Sequence, residues 1–230
     1  MKASVIVPTY NEANNLRSLV KRIAAAADVE IIVVDDASPD GTGNVADELA
    51  RKYQLKVIHR SGKLGLASAI IEGLKAASCD IVGVIDADLS HPPELLPRLI
   101  EPIMSGKADL VLASRYADGG GEENWPFWRK ITSRGAVMLA RPLTPLRDSM
   151  TGYFFMRKSV IDGVPLDAVG FKICLEVQVK GKYNKAVEVP YTFHNRKLGK
   201  SKLNSKEYTN YIRHLIKLYM YRLRGARRAA

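Results

Sequence analysis

Long apolar runs are missing from these 230 residues. No window approaches the roughly 20 apolar residues that a membrane-spanning helix needs. The opening residues MKASVIVPTYNE lead straight into a strand and a turn, with no apolar leader, so no signal peptide is expected. Cysteine is almost absent. Cys79 and Cys174 fit no disulfide or metal spacing and read as buried thiols in a reducing compartment. No GxGxxG follows the first strand, which disfavours a dinucleotide-binding enzyme and leaves a diphosphate to be held by something other than a glycine cradle. Internal repeats, low-complexity stretches and interdomain linkers are also missing.

What remains is an ordinary globular composition, 47% hydrophobic and 26% charged, long enough for one sizeable α/β domain. The formal charge of +11 is uneven. From His194 onward there are eleven Lys and Arg against one acid, Glu207, so the preceding residues are nearly neutral and the end is a basic arm. Such an arm attracts phosphates, whether of nucleic acid, anionic lipid or a phosphorylated substrate; added solubility is the plainer explanation.

Short apolar runs alternate with helical patterns in the first half. Strands are predicted at Ser4–Pro8, Glu30–Asp36, Lys56–His59, Asp80–Asp86 and Ala108–Ser114. Helices are predicted at Asn14–Ala27, Asn44–Tyr53, Leu66–Ala77 and Pro93–Ser105. This alternation means βαβ units around an open, mainly parallel sheet flanked by helices. Later come a helix at Pro126–Ala140, strands at Gly152–Met156 and Val187–Phe193, and an amphipathic basic helix at Tyr208–Leu223. The organisation expected is a catalytic domain over 1–205 and a basic helix with its tail over 206–230.

Chemistry concentrates at predicted strand ends, where ligands of open parallel sheets collect. Asp86-Ala87-Asp88 closes an apolar strand, and strand alternation would turn both carboxylates the same way. Paired carboxylates repel unless a cation or proton lies between them, and all-oxygen ligands favour Mg²⁺ or Mn²⁺. The plainer alternative is that the acids cap the helix near Pro93. Two other strand ends, Pro8-Thr9-Tyr10-Asn11-Glu12 and Asp35-Asp36-Ala37-Ser38, add acids and an aromatic that suit a nucleoside.

The segments VIVPTYNE, VVDDASPDGT, LGLASAI and VIDADLSHPPELL, in this order and spacing, resemble glycosyltransferase family 2. SRY at Ser114–Tyr116, ENWPFWRKITSRGA, TGYFFMRK, GFKICLEV and EVPYTFHNRKLGKSKL narrow the resemblance to its dolichol-phosphate (polyprenol-phosphate) mannosyltransferase branch. That branch has a GT-A-like fold. The resemblance implies inverting transfer of mannose from GDP-mannose to dolichyl or polyprenyl phosphate, with Mg²⁺ or Mn²⁺ as cofactor. It implies a donor nucleotide pocket of Pro8, Tyr10, Glu12, Val34, Asp36, Asp86, Ala87 and Asp88, with Asp88 as main metal ligand. Ser90 stands where close relatives often have Gln as a further ligand, so a water is expected to share that place. Arg115, Arg129 and Ser133 match positions holding the acceptor phosphate, and Arg196 and Lys202 lie in a loop that closes over the donor diphosphate. Asp88, Arg115, Arg196 and Lys202 are thus the expected catalytic set. An ionised phosphate acceptor needs no general base; for a hydroxyl acceptor the one candidate is Glu176.

The partners expected are the nucleotide sugar, the lipid phosphate, an anionic membrane surface and small membrane subunits, with no nucleic acid. The place expected is peripheral, on the cytoplasmic face of a membrane. Many members of that branch continue into spanning helices, so the chain is either self-sufficient through its surface helix or part of a longer protein. Three alternatives stay open: a family 2 enzyme with a glucose or N-acetylglucosamine donor, a nucleic-acid-binding protein, and a non-catalytic scaffold subunit.

Overall fold

The computed structural model describes residues 2–167, 172–194 and 205–229, with the side chains of 205–207 and 225–229 left aside. Apolar and β-branched runs become the strands β1 (Ser4–Thr9), β2 (Glu30–Asp35), β3 (Leu55–His59), β4 (Ile81–Val84) and β5 (Leu110–Ser114). Between them lie α1 (Ala13–Ala26), α2 (Thr42–Ala50), α3 (Leu66–Ala76) and, after a 3-10 turn at Pro93–Leu95, α4 (Leu96–Met104). The helical spacing of Leu16, Leu19, Val20 and Ile23 is the buried face of α1. The second half adds β6 (Gly121–Glu122), α5 (Phe127–Ala140), β7 (Phe154–Arg157), α6 (Ile173–Lys180), β8 (Ala186–Pro190), β9 (Thr192–Phe193) and α7 (Ser205–Ala229).

Seven strands form one sheet in the order β3-β2-β1-β4-β7-β5-β8. Pairing is parallel except for β7, which runs antiparallel between β4 and β5. A mainly parallel sheet with both faces covered matches the expected class. One apolar layer, containing Leu16, Leu19, Ile23, Leu96 and Leu99, lies beneath α1 and α4. The opposite layer, containing Ile6, Val34, Ile70 and Leu74, lies beneath α3. At Gly73 of α3 a Cβ would come within 2.6 Å of Ile6, so helix and sheet approach closely only because no side chain stands there.

The chain winds β1→β2→β3 to one side and then crosses to β4 on the other side of β1. The carboxyl ends of β1 and β4 therefore flank the point where strand order reverses, the place where open α/β sheets bind ligands.

Helix α7 packs its inner face on the domain. Tyr211, Leu215 and Leu218 are buried against Ala140, Leu143 and Leu175. The Tyr211 and Tyr219 hydroxyls donate to the carbonyls of Ala136 (2.6 Å) and Leu139 (2.8 Å), and Arg222 donates to that of Pro142 (2.6 Å). Its outer face leaves Tyr208, Ile212, Ile216, Met220, Tyr221 and Leu223 exposed. No helix among the described residues is long and apolar enough to cross a membrane.

Candidate active site

Strand β4 ends at Val84, so Asp86 and Asp88 lie in the turn that follows rather than in the strand itself. The expectation that strand alternation orients the two acids is corrected on this point. The turn is shaped instead by Leu89, whose φ is +62°, and by Oδ1 of Asp88, which accepts the Ser90 N–H at 3.0 Å. Asp88 is 5% exposed and Ala87 is buried beside it. Ser90 is fully buried, and its hydroxyl has no hydrogen-bond partner among the described residues. Asp86 has its Oδ2 3.2 Å from Nε2 of His91.

The nucleoside side is built from the ends of β1 and β2. Pro8 lies one residue before the end of β1 at Thr9, and Tyr10 and Glu12 follow the strand, half-buried. The Lys63 ammonium stands 3.9 Å from the centre of the Tyr10 ring. Glu12 accepts from the Asn15 amide at 2.8 Å, and its own N–H donates to Thr42. Two of the expected residues also belong to the framework of the fold. Val34 has no exposed surface and packs in the layer beneath α3. Asp36 is ion-paired with buried Arg60, and its Oδ2 accepts the Gly65 N–H at 2.8 Å. Arg60 also donates to the Gly65 carbonyl and to Ser68, so it braces the LGLASAI turn against β2.

The basic residues form a second wall, lined by rings. Arg115, 7% exposed, grips Asp148 with Nε at 2.8 Å and Nη2 at 2.7 Å, while its main-chain N–H donates to the same carboxylate at 3.0 Å. Burial works against the guanidinium charge, but Asp148 outweighs it and raises the Arg115 pKa. Arg115 lies 5.4 Å and Arg129 4.0 Å from the centre of the Trp125 ring, and both lie 5.8 Å from that of Phe193. The Ser133 hydroxyl shares a 2.8 Å hydrogen bond with Tyr116, whose own pKa burial pushes up to about 12. The structure thus brings Arg115, Arg129 and Ser133 together.

Sequence reasoning missed three charged residues of the region. Asp148 and Arg60 carried no motif that separates them from surface charges. Lys172, half-buried at the start of α6, is the third. Burial, and then the charge of Arg115, push its pKa down, against an upward pull from Asp86 and Asp148. It therefore lies within electrostatic reach of both walls. Arg196 and Lys202 lie outside the described residues. Glu176 is engaged elsewhere: its Oε1 accepts from Lys180 Nζ at 2.6 Å and from Asp167 N at 2.7 Å, and its Oε2 lies 3.6 Å from Nε2 of buried His214 of α7. It fastens α6 to α7 and is not poised as a base.

Comparison with known proteins identifies the family. The family model described as glycosyl transferase family 2 matches residues 4–164. A dolichol-phosphate mannosyltransferase of Pyrococcus furiosus is 51% identical over 225 residues, covering 95% of this chain and 64% of that protein. The chain therefore spans a little under two thirds of that relative. A Saccharomyces cerevisiae protein of the same name is 37% identical, covering 95% of this chain and 87% of that one. Among solved structures, a mannosyltransferase of Pyrobaculum calidifontis in complex with GDP-Man and Mn²⁺ superposes with a TM-score of 0.64 at 20% identity. That match covers 97% of this chain and 64% of the other, and shares the fold.

Proposed function

The chain belongs to glycosyltransferase family 2, and on that premise we propose that it transfers mannose from GDP-mannose to a dolichyl or polyprenyl phosphate with inversion. The observation that carries this reading is the 51% identity, over nearly the whole chain, to a relative named dolichol-phosphate mannosyltransferase.

The turn after β4 fits a hard divalent cation, Mg²⁺ or Mn²⁺. It offers the carboxylates of Asp86 and Asp88 and the buried hydroxyl of Ser90, which has no hydrogen-bond partner among the described residues. No cluster of three His, Cys, Asp or Glu side chains suited to a metal occurs among the described residues. That suits an ion completed by phosphate and water rather than a closed protein cage. When bound, the cation stabilises the negative charge that collects on the departing diphosphate.

The chain's own residues do the rest. Tyr10 stacks on the base, and Glu12 and Asp86 accept from base or ribose. Arg129 and Ser133 bind the acceptor phosphate, with Arg115 behind them. Lys172, and Arg196 and Lys202 by their place in the sequence, offset charge between donor and acceptor. An acceptor phosphate oxygen attacks the anomeric carbon as the bond from that carbon to the donor phosphate oxygen breaks, and GDP leaves with the electron pair. A phosphate monoester is already ionised near neutral pH, so no base is required and the engagement of Glu176 by Lys180 and His214 carries no penalty.

The lipid reading extends to where the enzyme works. Phe127 and Trp128 at the start of α5 are 70% and 75% exposed, and Ile131, Met138 and Leu139 are also exposed. Together with the outer face of α7 and its Arg213, Lys217 and Arg224, they suit peripheral docking on the cytoplasmic face of an anionic membrane. The test of the donor is a turnover screen of GDP-mannose, UDP-glucose and UDP-N-acetylglucosamine against one polyprenyl phosphate. GDP-mannose should be the preferred substrate; preference for either uridine donor would overturn the sugar assignment.

A further inference from the structure

His91 lies beside the paired acids and has no part in the reaction above. It is 2% exposed, and its ring is enclosed by three others, with centroids 5.3 Å from Tyr153, 5.5 Å from Tyr191 and 5.4 Å from Phe193. Nδ1 has no hydrogen-bond partner among the described residues, whereas Nε2 is 3.2 Å from Oδ2 of Asp86. A hydrogen on Nδ1 would be buried with no acceptor, an arrangement folded proteins avoid. The hydrogen therefore belongs on Nε2, donated to Asp86.

Gly152 closes the opposite side of that carboxylate. A Cβ there would stand 2.8 Å from Oδ2 of Asp86 and 3.2 Å from Oδ1. Asp86 is confined between an imidazole ring that rings lock in place and a stretch of main chain with no side chain. A buried histidine must place its ring hydrogen on some acceptor. This one spends its single well-placed donor on the first acid of the Asp86-Ala87-Asp88 motif.

We infer that His91 is a positioning residue: its Nε2–H fixes the rotation of the Asp86 carboxylate, so that Asp86 and Asp88 meet the donor's divalent cation in one geometry. The inference rests on the donor-site reading given above. Partners that orient metal-binding side chains in this way are worth about 10- to 100-fold in metal affinity.

Two substitutions separate hydrogen bonding from packing. His91→Gln places an amide nitrogen near the position of Nε2, and His91→Phe fills the ring volume without a donor. GDP binding to the full chain is measured by calorimetry across a Mn²⁺ series, with a thermal melt as control. The Gln variant should need Mn²⁺ within about threefold of the parent, and the Phe variant about 10- to 100-fold more. Gly152→Ala, which crowds Asp86 from the other side, should raise the requirement in the same way and serves if the Phe variant fails to fold. A folded Phe or Gly152→Ala variant with the parent's Mn²⁺ requirement overturns the inference. A parent that binds no GDP at any Mn²⁺ concentration overturns the donor site and the inference together. GDP binding without transfer of mannose overturns the reaction alone.

Discussion

Arg115 and Asp148 are joined by three hydrogen bonds, two from the guanidinium and one from the Arg115 main chain, and both side chains are buried. Asp148 is itself held at its main chain, where Glu188 Oε1 accepts its N–H at 3.0 Å. The guanidinium is thus fixed edge-on before any ligand arrives. Removing one member leaves a buried charge without its partner, at a cost of about 3–5 kcal/mol. Asp148→Ala and Arg115→Ala should each lower the free energy of urea unfolding by that order. The double variant should lose clearly less than the two losses added. Additive losses would show that the pair is not coupled.

On the proposed reaction, metal use depends on Asp88. Asp88→Ala should reduce turnover by at least about two orders of magnitude, since a catalytic cation supplies several kcal/mol of charge stabilisation. A thermal melt of the variant separates lost catalysis from lost folding, since the carboxylate also accepts the Ser90 N–H within the turn. Full activity of the variant in chelator would contradict this.

Glu30 ties the far edge of the sheet together. Burial resists its ionisation, but Lys56, the Ser4 hydroxyl and Ser78 outweigh that and hold its pKa at about 2. The folded value lies below the ordinary carboxylate value, so its stabilising contribution is fully present above pH about 4.3 and is lost as pH falls toward 2. Glu30→Gln should melt below the parent at pH 6, and the gap should narrow below about pH 4.3 in thermal melts. A gap that stays constant from pH 6 to 3 would contradict the assignment.

Membrane docking is best tested by point changes, because Tyr211, Leu215 and Leu218 belong to the core and deletion of α7 would expose it. Ile216→Glu and Trp128→Glu alter exposed side chains only. Both should weaken flotation with liposomes, and binding by the parent should rise with anionic lipid and fall with salt. Unchanged flotation of the double variant would remove this face as the anchor.

Most of the first half was legible in the sequence because each of its elements is locally periodic. The four apolar runs from Ser4 to Asp86 and the helical spacing of α1 needed no tertiary information. Helix α6 was missed because Ile173–Gln178 is buried on every side, so it shows no amphipathic period. The antiparallel place of β7 was missed because strand order is not a local property. In the site, the strand-end acids drew attention to Asp86 and Asp88, and the family resemblance implied Arg115, Arg129 and Ser133. Neither could show that Val34 is core and Asp36 ion-paired, nor find Asp148, Arg60 and His91. Those roles depend on contacts between segments far apart in the chain.

The most direct test of the account supplies the full chain with GDP-mannose and Mn²⁺ and offers a polyprenyl phosphate and the matching polyprenol as acceptors. Mannose should pass to the phosphate alone, with its anomeric configuration inverted by NMR, and Arg129→Ala should raise the KM for the lipid phosphate well above any change for GDP-mannose. Transfer to the polyprenol as readily as to its phosphate, or a product that retains the donor's configuration, would contradict the account.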